Sequence, residues 1–137
     1  MSIKKTKKSS KSERKKLIKK LDKIFSEYIR LRDGYKCVLC GSRTNVQAGH
    51  LITRNKYSTR WNEENVFAQC KSCNYRHEYQ PEIYTSWYIE KFGEKKYLDL
   101  VKRSNVIVKY KNYDLETMIE HYKQKIEKLK QKENGGK

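Results

Sequence analysis

Four cysteines, arranged as two Cys-x2-Cys pairs, constrain the fold of this chain more than any other feature. The pairs are Cys37–Cys40 and Cys70–Cys73; 29 residues separate them, and the chain has no other cysteine. Each pair places two thiolates on one tight turn, and two such turns can hold one tetrahedral ion, which is typical of a structural zinc site. We therefore expect Zn²⁺ to fix the geometry of the segment between the pairs.

Two other interpretations of the cysteines need to be weighed. Disulfides would suit a secreted domain, but the N-terminus leads into a lysine run rather than an apolar signal segment. A zinc ribbon or knuckle without catalysis is the stronger alternative, because paired cysteines of this kind occur in many proteins that are not enzymes. The residues between the pairs must decide between a binding module and an enzyme.

The charge of the chain indicates its partner. Its 137 residues, one domain's length, hold 33 Lys and Arg against 16 Asp and Glu, a net charge of +17. A mean hydropathy of −1.07 with 36% hydrophobic residues excludes a membrane span and favours a cytoplasmic protein. A polyanion, and so a nucleic acid, is the expected partner.

Composition and periodicity divide the chain into four segments. Residues 1–16 are rich in Lys and Ser and predict a disordered basic arm, and residues 17–112 hold the zinc-containing domain, which starts with an amphipathic brace helix. Residues 113–132 predict a C-terminal helix that would pair either with residues 17–31 or with a second copy of the chain as a homodimer. Residues 133–137 are expected to be a frayed tail.

The segment around the cysteines predicts a ββα unit. Asn45 to about Thr53 alternates as a strand, residues 54–64 are polar and predict an exposed loop, and residues 65–69 lead into the second knuckle. Asn74 is expected to open a helix that runs through about Tyr79. The predicted fold class is α+β, mostly helical, with a small zinc-stabilised core and flanking N- and C-terminal helices.

The polar residues of this unit are suited to hydrolysis of a phosphodiester. The reaction needs an activated water, and the imidazole of His50, with a reference pKa of about 6.5, is a suitable base. Asn74 offers a carboxamide oxygen to a hard cation such as Mg²⁺. His77 is three residues further on and would add a nitrogen ligand, which favours Mn²⁺, while Glu78 is the competing ligand.

The same residues carry a resemblance to a known family. The segment resembles the HNH/HNN (ββα-metal) endonucleases, and in detail the phage NinG (Rap) recombination endonucleases, over about residues 35–100. The matching motifs are Cys37-x-x-Cys40, Ala48-Gly49-His50, Thr59-Arg60-Trp61, Asn65-Val66-x-Ala68-Gln69-Cys70-x-x-Cys73-Asn74 and a Tyr- and Trp-rich helix that ends at Gly93.

The resemblance implies a metal-dependent DNA endonuclease with a small HNH core. It implies His50, Asn65 and Asn74 as catalytic residues, with Asn65 orienting the loop that carries His50, and a product with 5′-phosphate and 3′-hydroxyl ends. It also implies branched DNA, such as a Holliday junction or D-loop, as substrate in the bacterial host cytoplasm. Arg54 and Arg60 flank the loop after His50 and are expected to bind phosphate.

One position departs from the wider HNH pattern. Many HNH sequences have Asp or His as a metal ligand directly before the base histidine, whereas this chain has Gly49 there. Waters, or a ligand that the sequence does not reveal, must complete the coordination of the catalytic ion. Three alternatives stay open: a non-catalytic zinc module that binds DNA or RNA, a small adaptor that uses the terminal helix, and a sequence-specific restriction or homing endonuclease.

Overall fold

The chain is mostly helical and has one small sheet. A computed structural model describes the backbone of residues 3–135 and the side chains of residues 11–133. In chain order the elements are α1 (Ile3–Arg32), β1 (Val46–His50), α2 (Tyr57–Arg60), β2 (Val66–Cys70), α3 (Lys71–Arg76), α4 (Pro81–Phe92), α5 (Glu94–Ser104) and α6 (Asn112–Gly135). The mostly helical α+β class predicted from the sequence is confirmed at this level.

None of the helices in the described part of the chain is both long enough and apolar enough to cross a membrane.

Strands β1 and β2 form an antiparallel pair. Val46 lies opposite Cys70 and His50 opposite Val66, so β1 ends at His50. Helix α3 follows β2 without a linker, and Cys70 is its N-cap residue, with its Sγ accepting from the backbone N–H of Cys73 at 3.5 Å. The helix therefore begins at Lys71, and the prediction that Asn74 opens it was wrong, because the Cys70 sulfur acts as the cap.

The core of the unit Ile29–Lys109 is largely aromatic. Leu51, Tyr84, Tyr88 and Leu100 are buried together, and the partly buried ring of Phe67 packs against the same cluster. Helix α4 ends at Phe92, and Gly93 is its C-cap, as the glycine after an apolar helix predicts. The φ of Gly93 is 95°, a conformation that is costly for residues with a Cβ atom. This cluster supports β1 and β2 from one side.

The segment 54–64 is more ordered than the exposed loop expected from its polar sequence. It contains the short helix α2, and Thr59 and Trp61 are buried, with relative exposures of 0% and 7%. The Trp61 ring stacks on Tyr57 with centroids 5.6 Å apart. Tertiary packing of these two side chains outweighs the turn-forming composition of the segment.

The second unit contains the described parts of Met1–Tyr28 and Tyr110–Lys137. Phe25 and Tyr28 of α1 lie with their ring centroids 5.0 and 5.3 Å from that of Tyr122 of α6. The other buried residues of the pair are Leu21, Leu115, Ile119 and Ile126. The C-terminal helix thus pairs with the predicted brace helix of the same chain, and the homodimer stays a prediction.

Both ends of the chain differ from the segments predicted for them. Helix α1 begins at Ile3, inside the predicted disordered arm, because Lys and Arg favour helix once a downstream apolar stripe anchors it. Helix α6 continues to Gly135, beyond the predicted end at residue 132. Residues 1–2 and 136–137, which belong to the predicted arm and tail, lie outside the described residues.

Candidate metal centre and active site

The four cysteines form one cluster. The Sγ atoms of Cys37, Cys40, Cys70 and Cys73 all lie within 4.8 Å of one another, and those of Cys40 and Cys70 are 3.6 Å apart. Four sulfurs bound to a tetrahedral zinc at about 2.3 Å would be roughly 3.8 Å apart. The four-cysteine cluster therefore fits one zinc ion, as the spacing of the cysteines predicts.

Backbone hydrogen bonds shape the first cysteine turn. The N–H of Cys37 donates to Ser42 O and the N–H of Gly41 donates to Cys37 O, both at 2.9 Å. Gly41 has a φ of 79°, in the left-handed region that favours glycine. The N–H of Val38 donates to Ala68 O at 2.9 Å, which ties this turn to β2 and brings the two cysteine pairs together.

The protonation of the cysteines explains why the cluster needs a cation. Burial raises the pKa of Cys37, but hydrogen bonds from the backbone of Cys40, Cys70 and Leu39 outweigh it and lower the pKa to about 7. Burial and the neighbouring sulfurs raise the pKa of Cys73 strongly. One thiol of the cluster thus ionises readily and another resists, so four thiolates can coexist only around a positive ion.

Asn65 is fully buried and holds the loop after β1. Its Nδ2 donates to Ile52 O and to Thr59 O, both at 3.0 Å, and its Oδ1 accepts from the N–H of Ile52 at 2.8 Å. The backbone carbonyl of Asn65 also accepts from the N–H of Leu51 at 2.8 Å. These contacts fix the backbone immediately after His50, and the role of Asn65 in orienting the imidazole stays a prediction.

His50 ends strand β1 and has a defined tautomer. Its Nε2 lies 2.8 Å from the backbone carbonyl oxygen of Arg60. A carbonyl only accepts, so Nε2 carries the proton, and in the neutral ring the basic lone pair is on Nδ1. The half-buried imidazole is therefore oriented with Nδ1 as the nitrogen suited to take a proton.

Asn74 lies beside the residue that precedes His50. Its Nδ2 donates to Gln47 Oε1 at 2.9 Å, which turns Oδ1 toward β1. Oδ1 lies 3.0 Å from the position that a Cβ atom on Gly49 would take. From that position, one bond leads to the Cα atom of Gly49, and the Cα atom of His50 is one residue further along the chain. Adding these lengths puts Asn74 Oδ1 within about 8 Å of the His50 Cα atom. Helix α3 thus brings the predicted cation ligand close to the predicted base.

Gln69 also lies at this site, although no role was predicted for it from the sequence. It lies opposite Gln47 across the strand pair and has a relative exposure of 0%. Its Oε1 is 1.8 Å from the position of a Cβ atom on Gly49, so the side chain fills the space that glycine leaves. One feature of the sequence could have drawn attention to Gln69. It is a polar residue directly before the zinc ligand Cys70, in a strand whose other residues are mostly apolar.

The role of His77 as a second ligand of the cation on Asn74 stays a prediction. The Nε2 of His77 lies 2.8 Å from Leu51 O and must carry the proton, which leaves Nδ1 as the nitrogen available to a metal. Nδ1 is buried without a hydrogen-bond partner, and no described hydrogen bond joins His77 to Asn74. His77 follows α3 as its C-cap, and Glu78, the competing ligand, is exposed.

The two predicted phosphate-binding arginines lie next to each other. Nη1 of Arg60 donates to Arg54 O at 3.2 Å. The Arg60 guanidinium lies 5.3 and 5.5 Å from the ring centroids of Trp61 and Tyr57, a distance typical of cation–π contact. The backbone carbonyl of Arg60 also accepts the hydrogen bond from His50. One residue therefore both contacts the candidate base and carries a guanidinium that could bind phosphate.

The comparisons with known proteins identify the family. Comparison with curated proteins gives no match, and comparison with solved structures gives none either. The family model described as bacteriophage lambda NinG protein matches residues 1–133, nearly the whole chain. The chain therefore belongs to the NinG family.

Proposed function

We propose that the protein is a metal-dependent DNA endonuclease with an HNH-type core, in which zinc is structural and a second divalent cation takes part in hydrolysis. One observation carries the proposal: Asn74, the residue after the last zinc ligand, has its Oδ1 3.0 Å from the Cβ position of Gly49, directly before His50. The oxygen of Asn74 is thus within about 8 Å of the His50 backbone, and we infer that the base and the cation act on one phosphate group.

His50 is the general base of the proposed reaction. Its Nδ1 takes the proton of a water molecule whose oxygen attacks phosphorus, and the bond from phosphorus to the 3′ oxygen breaks. The hydrogen bond from Nε2 to Arg60 O holds the ring and stabilises the imidazolium that forms. The products carry 5′-phosphate and 3′-hydroxyl ends.

The remaining side chains bind and orient. A divalent cation on the Asn74 carboxamide would neutralise charge on the phosphate and on the departing 3′ oxygen. Arg60 and Arg54 bind neighbouring phosphates, and Asn65 keeps the backbone after His50 in place. The net charge of +17 attracts DNA to the protein without selecting a sequence.

Membership of the NinG family favours a role in phage recombination. We infer from it that the substrate is branched DNA, such as a Holliday junction or D-loop, in the cytoplasm of the bacterial host. A sequence-specific restriction or homing endonuclease is the alternative within the nuclease class, and a zinc module that only binds nucleic acid is the alternative outside it.

A cleavage assay tests the proposal. Zinc-loaded protein is incubated with end-labelled four-way junction, fork and linear duplex of matched sequence, in Mg²⁺, Mn²⁺ or EDTA, and the products are separated on denaturing gels. The expected result is cation-dependent cutting near the branch point and at least a hundredfold slower cutting by His50→Ala. His121→Ala is the matched control, because His121 is exposed on α6.

Three results would contradict parts of the proposal. Binding without cutting in every cation, or cutting by His50→Ala at the wild-type rate, would favour a non-catalytic zinc module. Cutting of linear duplex at one sequence, with the junction ignored, would favour a restriction or homing enzyme. Cutting that persists in EDTA after a chelator wash would remove the second cation from the mechanism.

A further inference from the structure

We propose that Gln69 is the oxygen ligand that replaces the side chain missing at Gly49, so that the Gln69 and Asn74 carboxamide oxygens together hold the divalent cation. This assignment rests on the proposed nuclease function for its purpose, but the cation site itself can be measured without DNA. It supplies the ligand that the sequence left unidentified.

The two oxygens converge on one point. Gln69 Oε1 and Asn74 Oδ1 lie 1.8 and 3.0 Å from the Cβ position of Gly49, so their separation is at most the sum of these distances, about 4.8 Å. Two oxygens on one Mg²⁺ at about 2.0–2.1 Å are roughly 2.9 Å apart in neighbouring positions and roughly 4.1 Å apart in opposite ones. The range that the two distances allow, about 1.2–4.8 Å, includes both of these separations.

The surroundings of Gln69 point to a missing partner. The side chain is fully buried, and both of its polar atoms, Oε1 and Nε2, lack a hydrogen-bond partner. A buried, unpaired amide costs roughly 1–3 kcal/mol, so native structures rarely contain one without a functional reason. A cation beside Oε1 would satisfy the acceptor atom and explain why a long polar side chain is buried there.

Glycine at position 49 is required by this arrangement. Any Cβ atom there would meet Gln69 Oε1 at 1.8 Å and Gln69 Cδ at 2.7 Å, both far inside contact distance. A ligand on residue 49 and the observed position of Gln69 therefore exclude each other. The glycine creates the space, and Gln69 brings an oxygen into it from the neighbouring strand.

The chemistry of the pair indicates the class of ion. Two neutral carboxamide oxygens suit Mg²⁺ or Mn²⁺, and because Gln69 is fully buried, water and substrate phosphate would reach the other coordination positions from the side of the half-buried Asn74. Gln47 accepts from Asn74 Nδ2 at 2.9 Å, which positions the Asn74 oxygen without adding a ligand. Without a carboxylate, binding of the ion should be weak in free protein and should strengthen when DNA phosphate joins it.

Titration of the zinc-loaded protein with Mn²⁺ tests the assignment, with free Mn²⁺ followed by electron paramagnetic resonance. Gln69→Leu should bind Mn²⁺ at least about tenfold more weakly than wild type, and Gln69→Glu at least about tenfold more tightly. Gln124→Leu, an exposed position on α6, is the matched control and should not change binding. Zinc content and circular dichroism must equal those of wild type in each variant.

A ligand exchange makes the test independent of folding effects. Gln69→Ala empties the space beside Gly49 and should lose Mn²⁺ binding. The double variant Gly49→Asp with Gln69→Ala then places a carboxylate in that space and should regain at least the wild-type affinity. If Gln69 merely fills space, the double variant will bind Mn²⁺ no better than Gln69→Ala, and Gln69→Glu will gain nothing; either result overturns the assignment.

The outcomes separate this assignment from the nuclease proposal. Wild-type Mn²⁺ binding that depends on Gln69, together with no cleavage of any DNA, would preserve the cation site and refute the nuclease. Cleavage and Mn²⁺ affinity that are unchanged in Gln69→Leu would preserve the nuclease and refute the role of Gln69.

Discussion

Replacing Asn65 by Ala should destabilise the fold far more than the loss of one polar side chain normally does. Asn65 has a relative exposure of 0%, and its carboxamide makes three hydrogen bonds to the backbone, two to Ile52 and one to Thr59. In the alanine variant these three backbone groups stay buried but lose their hydrogen-bond partner. Each unpaired group lowers the free energy of unfolding by roughly 1–3 kcal/mol.

Since relaxation and entering water recover part of that cost, we expect a loss of about 3–5 kcal/mol in the free energy of unfolding. For a chain of this size, 1 kcal/mol corresponds to roughly 4 °C, so the melting temperature should fall by about 12–20 °C. Urea unfolding of the zinc-loaded protein, followed by circular dichroism, measures the free energy, and a thermal scan gives the shift.

Asn62→Ala is the matched control. Asn62 lies in the same loop, but its Oδ1 accepts a single hydrogen bond, from the N–H of Glu64 at 2.9 Å. Its loss should cost about 1 kcal/mol. If Asn65→Ala and Asn62→Ala destabilise the protein equally, the three hydrogen bonds of Asn65 do not carry the loop, and its positioning role for His50 has no energetic basis.

Three further predictions concern zinc, an aromatic hydroxyl and the helix pair. Zinc binding must displace thiol protons, so the affinity for zinc, measured by competition with a chromogenic chelator, should fall as the pH falls, and more steeply below about 7, where Cys37 of the metal-free cluster is also protonated. Equal affinity at pH 6 and pH 8 would contradict this. Burial raises the pKa of Tyr84, so the stability that its neutral hydroxyl contributes is complete below about pH 10 and is lost as the pH rises further. Tyr84→Phe removes the hydrogen bond to Gly49 O and should lower the free energy of unfolding by about 1 kcal/mol at pH 7. Above pH 10, the free energy of unfolding from urea titrations should fall less steeply with pH in this variant than in wild type. Tyr122→Ala should cost about 3–5 kcal/mol in urea unfolding, because its buried ring packs against α1, whereas Tyr113→Ala, with Tyr113 75% exposed, should stay within about 0.5 kcal/mol of wild type.

The features that the sequence predicted well are those with a local chemical signature. The two cysteine pairs predicted the four-cysteine cluster from spacing alone, because a tetrahedral ion demands that arrangement. The helix before Gly93 was predicted from its apolar spacing and its terminal glycine, both of which are local. These signals depend on neighbours in the chain and need no knowledge of tertiary contacts.

Other features could not be predicted because they depend on contacts distant in sequence. Helix α2 lies within a segment of turn-forming composition, and the stacking of Trp61 on Tyr57 in that segment is decided by packing. Gln69 is the clearest case: glutamine is usually exposed, and only the strand register and the empty space at Gly49 explain its burial. The start of α3 was also missed, since a cysteine is an unusual N-cap and acts as one only within the cluster.

The zinc cluster and the candidate cation site share one short stretch of chain, whereas His50 has further supports outside that stretch. Gln69 directly precedes the zinc ligand Cys70, and Asn74 directly follows Cys73, so movement of the second cysteine pair displaces both carboxamide oxygens together. His50 pairs with Val66 of β2 and depends in addition on Arg60 O and on the loop that Asn65 holds. Removing zinc should therefore abolish Mn²⁺ binding and cleavage together. Asn65→Ala, assayed well below its melting temperature, should slow cleavage while leaving Mn²⁺ affinity within about twofold of wild type. Parallel loss of Mn²⁺ affinity and cleavage in that variant would mean that base and cation do not have separate supports.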